Sequence, residues 1–308
     1  MTFRACNLIT SCLRAGSFIL TLLILSPDTL LGAVILFEDH FDQPVLNTEW
    51  SVNQQSVNSP LGLTQTYFSP EITNEGTARF RFDTYNPDAP GALFRGTEIA
   101  TQTQFAVGDG LAFEVRWRAS TPLPEGLVLG FSTFGQGSGV DRIDFNVLSK
   151  VYTGTSNMKI LTNVSGTGNE IDPILVVSPN PIDFSEFNTF KILWEPDSIK
   201  WFINDHLVLA RTDVVGLADS NMGLHLNFWA PDQSLSSFSE AYDPNFQPTA
   251  NSSQNQSFFF EVDSVTISAI PEPEYYVFFL AFFLLSVAAH RKSCDRKTLS
   301  YPFGGSSA

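Results

Sequence analysis

The sequence predicts an all-β protein built as a two-sheet antiparallel sandwich. Residues 111–118 (LAFEVRWR) and 199–204 (IKWFIN) alternate with the period of a strand that buries one face. Similar runs recur between clusters of Gly, Pro, Asn and Asp, and no internal segment of ten or more residues carries a helical apolar stripe. The 28 Phe and 5 Trp supply enough apolar area for the core of one large domain, which we place at residues 34–270.

One predicted strand carries polar groups on a single face. In residues 141–150 (DRIDFNVLSK), the side chains of Arg142, Asp144 and Asn146 alternate with Ile143, Phe145 and Val147. The apolar set is expected to face the core, so the polar set faces out of the sheet. Taken alone, these residues also suit an ordinary solvated strand.

The same strand resembles the catalytic strand of glycoside hydrolase family 16, the laminarinase and lichenase group, which reads Glu-x-Asp-x-Glu. The central Asp matches Asp144, whereas the nucleophile position holds Arg142 and the acid/base position holds Asn146. Arg cannot become a nucleophile and an Asn amide cannot act as the acid. The resemblance therefore implies a degenerate motif with no catalytic residues, in which we expect Arg142 to pair with Asp144.

Further segments resemble the same family in the order expected of it. They are residues 34–50 (VILFEDHF to LNTEW), 94–118, 190–210, 222–231 (MGLHLNFWAP) and 260–267 (FEVDSVTI), with Asn204 and Asp205 at a hairpin turn. The resemblance spans residues 34–268 and implies the jelly-roll fold of the concanavalin A-like lectins and glucanases. It also implies that Arg142, Asp144 and Asn146 point into a concave face.

Sugar recognition needs aromatic platforms and hydrogen-bonding groups. Trp229 lies where the family has an aromatic residue beside its cleft, and Asn227 and His225 share its face of the strand. With Asp144, these are the predicted ligand-binding residues. Trp117, Trp194 and Trp201 belong to alternating apolar sets and are predicted to lie in the core.

The resemblance further implies a possible calcium site. Glu38, Gly76 and Asp263 match the positions that many family members use for a Ca²⁺ ion away from the cleft, and oxygen donors suit this ion. Asp263 is equally compatible with the outward position of its strand. A zinc site has little support, because the histidines of the domain stand in separate segments and the domain has no Cys.

The two ends of the chain resemble targeting signals. Residues 1–33 have two Arg, an apolar run and a small-residue end, the pattern of a secretory signal peptide. Residues 271–292 resemble a PEP-CTERM sorting signal for an exosortase: a Pro-Glu-Pro triplet, an apolar stretch at residues 275–289 and a basic stop. A permanent membrane anchor is the alternative, and residues 293–308 would form a short cytoplasmic tail. We therefore expect export, a transient membrane-anchored intermediate and a final place at the cell envelope or in the extracellular matrix.

The charge of the domain limits its partners. Residues 34–270 hold 28 acidic and 11 basic residues, a net charge of −17. Such a surface repels nucleic acid and anionic lipid, so neutral glycans or cation-bridged polymers are better partners. Together with the family resemblance, this implies a polysaccharide partner, either β-glucan or exopolysaccharide.

Three functions follow from the sequence. The first is an exported glycan-binding or matrix protein that is catalytically inactive. The second is an endo-β-glucanase acting on β-1,3 or mixed-linkage glucans through displaced carboxylates, and the third is a structural envelope protein without a ligand, because a fold does not dictate function.

Overall fold

The computed structural model describes residues 33–270 except 109, 136–140, 150–158, 167–168, 171–173, 178–181, 215–219 and 236–237. Ile35–Ile270 form one compact unit. The strands are β1 Val34–Asp39, β2 Trp50–Val52, β3 Thr64–Phe68, β4 Glu71–Ile72, β5 Ala78–Asp83, β6 Phe94–Thr101, β7 Leu111–Ala119, β8 Val128–Gly135, β9 Arg142–Leu148, β10 Lys159–Gly166, β11 Asn169–Glu170, β12 Ile174–Val177, β13 Asn188–Glu195, β14 Ser198–Ile203, β15 His206–Arg211, β16 Met222–Trp229 and β17 Ser257–Ala269. A 3-10 turn at Ser252–Gln254 precedes the last strand.

The strands form two layers, which we call sheet I and sheet II. Sheet I runs in the order β15, β14, β13, β7, β17, β5, β4, with antiparallel neighbours throughout. Sheet II runs in the order β12, β10, β9, β8, β16, β6, and β6 then pairs with β2 and, in parallel, with β3. The pair Asp83–Arg95 links β5 to β6 and joins the layers into one hydrogen-bonded sheet.

The predicted alternation places the core between the layers. Strand β7 buries every second residue, and Trp117, Trp194 and Trp201 are all buried, which confirms their prediction as core residues. The ring of Trp117 makes edge contacts with Phe190 and Phe260, which lie on β13 and β17 on either side of β7. The all-β sandwich predicted from the sequence is confirmed.

The hairpin between β14 and β15 turns at the predicted residues. Asn204 and Asp205 have φ values of 48° and 61°, the left-handed conformation of a two-residue turn whose twist matches its strands. Asn tolerates this region because its short polar side chain can bond nearby backbone, and here Asn204 Oδ1 accepts from the Thr189 N–H.

The predicted targeting segments cannot be placed. The predicted sorting signal, the predicted tail and residues 1–32 of the predicted signal peptide lie outside the described residues, so all three stay predictions. Within the described part of residues 33–270, no helix has the length and apolar character needed to cross a membrane.

Candidate functional site

Four neighbouring strands of sheet II bring polar residues onto the face that is turned away from sheet I, which we call the polar face. Ile143, Phe145 and Val147 of β9 are buried in the core, so the alternate residues of β9 must lie on the opposite side. The registers then align two rows across β9, β8, β16 and β6: Asn146, Gly130, Asn227 and Glu98 in one row, and Asp144, Ser132 and His225 in the next.

Arg142 and Asp144 form the ion pair expected from the sequence. Arg142 Nη2 lies 2.7 Å from Asp144 Oδ2, and the side chain of Asp144 is 3% exposed. The guanidinium also lies over the ring of Phe134, 5.6 Å from its centre. Asp144 is therefore a buried carboxylate whose charge is offset by the residue at the predicted nucleophile position.

A second carboxylate, Glu98, also belongs to the polar face. His225 Nδ1 lies 3.1 Å from Glu98 Oε1, and Gln55 Nε2 donates to Glu98 Oε2 at 3.5 Å. The imidazole of His225 packs beside Phe134, with ring centres 4.7 Å apart. Sequence reasoning selected His225 but missed Glu98, because β6 is buried on both faces and its polar positions do not stand out.

Two buried amides of the polar face lack hydrogen-bond partners within the described structure. Neither side-chain atom of Asn163, which lies opposite Asp144, has a partner, and Asn227 Oδ1 has none. A Cβ at Gly130 would lie 1.8 Å from Asn227 Oδ1 and 3.1 Å from Asn146 Oδ1, so both amides lie over this glycine. Buried polar atoms normally have partners, so the amide atoms of Asn163 and Asn227 are unsatisfied groups of the polar face.

Trp229 is not the open platform that the sequence predicts. It is 4% exposed, because the chain that follows β16 folds back and places Phe238 in an edge contact with its ring, at 4.8 Å. Val128, Leu148 and Leu161 complete this small apolar cluster. Trp229 keeps its predicted place on the face of Asn227 and His225, but as the buried border of the polar face.

Asp141 is a further carboxylate close to β9, and its side chain lies on the opposite side of the sheet from Arg142. Its Oδ2 accepts a 2.8 Å hydrogen bond from the Ser220 N–H. Its Cβ lies close to Gly135, which pairs with the buried Met222 on the core side of sheet II. Asp141 therefore stabilises the backbone at Ser220, just before β16, and its side chain does not lie on the polar face.

The predicted calcium ligands are engaged elsewhere. Arg116 Nη1 lies 2.6 Å from Asp263 Oδ2, and Glu38 lies 3.2 Å from His40 Nε2. No group of three or more His, Cys, Asp or Glu side chains that could hold a metal occurs among the described residues. In this side-chain arrangement an arginine occupies the Asp263 carboxylate and a histidine lies beside Glu38, and the calcium site with Glu38, Gly76 and Asp263 stays a prediction.

The family model of the glycosyl hydrolases family 16 matches residues 46–245, about two thirds of the chain. The chain belongs to glycosyl hydrolases family 16. Solved structures of similar fold include the Bacillus licheniformis β-glucanase, with a TM-score of 0.59 and 18% identity over 79% of this chain and 100% of that one. A laminarinase catalytic domain from Thermotoga petrophila RKU-1 has a TM-score of 0.61 and 14% identity over 78% and 99% of the two chains.

The endo-β-1,3-glucanase from Pyrococcus furiosus is similar too, with a TM-score of 0.58 and 19% identity over 77% of this chain and 95% of that one. At these identities the likeness shows the fold, which is the jelly roll of the family 16 glucanases. A search of curated proteins finds no match.

Proposed function

We propose that this family 16 protein binds a β-glucan chain along the polar face of sheet II and does not hydrolyse it. The observation that carries the proposal is the set of unpartnered amide atoms of Asn163 and Asn227. A buried amide without a partner costs about 1–3 kcal/mol, which the hydroxyl groups of a sugar can recover. The printed names of the similar structures, which are β-glucanases and a laminarinase, suggest the polysaccharide class.

Within the described strand β9, the pair of carboxyl groups that a retaining glycosidase needs is not present. The two groups should lie about 5–5.5 Å apart, one attacking the sugar and the other protonating the leaving oxygen. Here Arg142 and Asn146 flank Asp144 along β9, and Asp144 is paired with Arg142. Neither neighbour can supply the second role.

Binding can be tested with one histidine exchange and a matched control. We expect His225→Ala to weaken binding of β-1,3- and mixed-linkage glucan oligosaccharides about tenfold, the effect of one lost hydrogen bond to a charged group, measured by titration calorimetry on the full chain. His206→Ala should leave binding unchanged, because this exposed residue on β15 belongs to sheet I. Absence of glucan binding by the wild type would contradict the proposal and favour a structural envelope protein.

Hydrolysis of β-glucan is the second candidate, and family membership supports it more directly than binding alone. The observation in its favour is Glu98, a second buried carboxylate on the polar face. Glu98 and Asp144 stand on strands separated by β8 and β16. Their backbones are therefore roughly 14 Å apart at ~4.8 Å per strand, whereas the carboxyl groups of retaining glycosidases lie about 5–5.5 Å apart and those of inverting enzymes about 6.5–9.5 Å apart. Hydrolysis through this pair would need both side chains to extend toward each other.

A reducing-sugar assay on laminarin and lichenan decides between the two candidates. We expect no turnover from the wild-type chain. If it cleaves either glucan and Asp144→Asn or Glu98→Gln abolishes the cleavage, the protein is a hydrolase with displaced catalytic residues and the binding-only proposal is wrong.

We further propose that the protein reaches the cell envelope as an exported precursor sorted by an exosortase-type enzyme. The support is the Pro-Glu-Pro triplet, apolar stretch and basic residues of 271–292. Mass spectrometry of the mature protein should show a chain that ends near Pro271. An intact residue 275–289 segment would instead indicate a permanent anchor.

A further inference from the structure

The outer face of sheet I contains an open depression of about 480 Å³. Its lining includes Glu75, Arg79, Arg118, Ser120, Ser185 and Phe259. It lies on the opposite side of the sandwich from the polar face, because Arg79, Arg118 and Phe259 alternate with the core residues of β5, β7 and β17. The volume falls within the roughly 300–1,000 Å³ range of small-molecule sites.

A buried glutamate holds the floor of the depression rigidly. Glu261 Oε1 accepts from Arg79 Nε and Nη2 at 3.1 and 3.0 Å, and Glu261 Oε2 accepts from Arg118 Nε and Nη2 at 3.1 and 2.8 Å. The Glu261 side chain is 3% exposed, whereas those of Arg79 and Arg118 are 37% and 27% exposed. The ring of Phe187 supports Arg118 from the side, 4.4 Å from its guanidinium carbon.

This clamp leaves guanidinium N–H groups available to a ligand. Each arginine uses only Nε and Nη2 on Glu261, and a guanidinium has five N–H donors. Acceptors stand at the rim, where the Glu75 carboxylate is 76% exposed and lies 3.5 Å from Arg118 Nη2. The exposed Ser120 hydroxyl can both donate and accept, whereas the Ser185 hydroxyl donates to Asp183 Oδ1 and can accept from a ligand.

The balance of charge selects the class of ligand. Arg79 and Arg118 carry two positive charges, and Glu261 and Glu75 carry two negative charges, while the exposed Glu71 carboxylate lies 3.9 Å from Arg79 Nη1. The depression therefore has no excess of positive charge, within a domain of strongly negative charge. An anionic ligand would be repelled by the Glu75 carboxylate at the rim and by the net negative charge of the domain. A neutral polyhydroxyl ligand suits rigid donors, rim acceptors and the apolar ring of Phe259, because each sugar hydroxyl both donates and accepts and its ring carbons pack on apolar surface.

We propose that this depression is a second glycan-binding site, independent of the polar face. Two sites on opposite faces would let one molecule bridge two polysaccharide chains. Only the choice of a β-glucan probe rests on the proposed function. The contacts that form the depression do not involve the polar face.

The two sites can be followed separately by NMR titration of the full chain with β-1,3-linked glucohexaose. We expect saturable shifts of the backbone amides of Ser120 and Ser185, in addition to shifts at Asp144 and Asn227. Ser120→Trp places a large side chain in the depression from an exposed position. It should raise the apparent Kd obtained from the shifts around Ser120 and Ser185 at least tenfold. Ser253→Trp is the matched control, because Ser253 is an exposed serine in the 3-10 turn. It should leave the apparent Kd at both sites unchanged.

Glu75→Ala is a second variant, and it leaves the contacts of Arg79 and Arg118 with Glu261 intact. It should lower the glucan affinity of the depression on sheet I several-fold. Absence of saturable shifts at Ser120 and Ser185, or equal shifts in Ser120→Trp, would overturn the inference. Shifts at Ser120 and Ser185 without shifts at Asp144 and Asn227 would support the second site and refute glucan binding at the polar face.

Discussion

At the residue scale, Arg142 and Asn146 determine the chemistry of the polar face. Both lie on β9 at the positions where the family resemblance expects carboxylates, with Asp144 between them. Under the proposed binding function, Arg and Asn at these positions would leave the protein without the covalent step and without the general acid, which alone supplies ~10²- to 10⁴-fold in rate. Inactivity is therefore expected from two side chains, without any change of fold.

The double variant Arg142→Glu with Asn146→Glu tests whether the rest of the face still suits hydrolysis. We expect it to gain measurable reducing-sugar release from laminarin, while each single variant stays inactive because both carboxyl groups are needed. Replacing Arg142 by Glu also removes the positive charge that offsets the buried Asp144 carboxylate and places a second negative charge beside it, which should destabilise the fold by about 3 kcal/mol and lower the melting temperature. A folded double variant without turnover would show that the face has diverged beyond these two positions.

At the scale of elements, strands with one buried face could be predicted and strands buried on both faces could not. Strands β7 and β9 show a period of two in the sequence, so their core faces and the outward position of Asp144 followed directly. Strand β6 is buried almost throughout, so no periodicity pointed to Glu98. The burial of Trp229 depends on Phe238, a contact that the local pattern around Trp229 does not encode.

The β13–β14 hairpin contains a titratable pair that should contribute to acid stability. Burial raises the pKa of Glu195, but hydrogen bonds from Lys200 and Ser198 outweigh it, so the pKa lies below its ordinary value of 4.5. A carboxylate with a lowered pKa stabilises the fold above its unfolded pKa, and this contribution is lost as the pH falls through the folded pKa.

We therefore expect Glu195→Gln to lower the free energy of unfolding by about 1 kcal/mol at pH 7 and to have progressively less effect below a pH of about 4. Urea unfolding across this pH range provides the measurement. Glu186→Gln, at an exposed position before β13, is the control and should have little effect at any pH. If Glu195→Gln lowered the free energy of unfolding more strongly at acid pH than at pH 7, the ionised Glu195 carboxylate would not be the stabilising form.

At the scale of the whole molecule, the excess of acidic residues opposes compaction. The net charge of residues 34–270 is −17, and self-repulsion of this kind is screened by salt over a Debye length of ~10 Å at 0.1 M. We expect the melting temperature to rise by about 2–4 °C when NaCl is raised from low concentration to ~0.15 M, corresponding to ~1 kcal/mol. A melting temperature that falls with NaCl would show that the arginine–carboxylate pairs outweigh the repulsion.

The central position of β17 determines when the chain can fold. Ser257–Ala269 pairs with β5 on one side and β7 on the other, so sheet I stays divided until the last residues of the domain are available. The paired residues Glu261 and Arg79 are 182 positions apart in the chain, and such distant contacts form slowly. A ribosome-bound chain that lacks β17 therefore cannot complete sheet I, so the sandwich can close only after synthesis has passed residue 269.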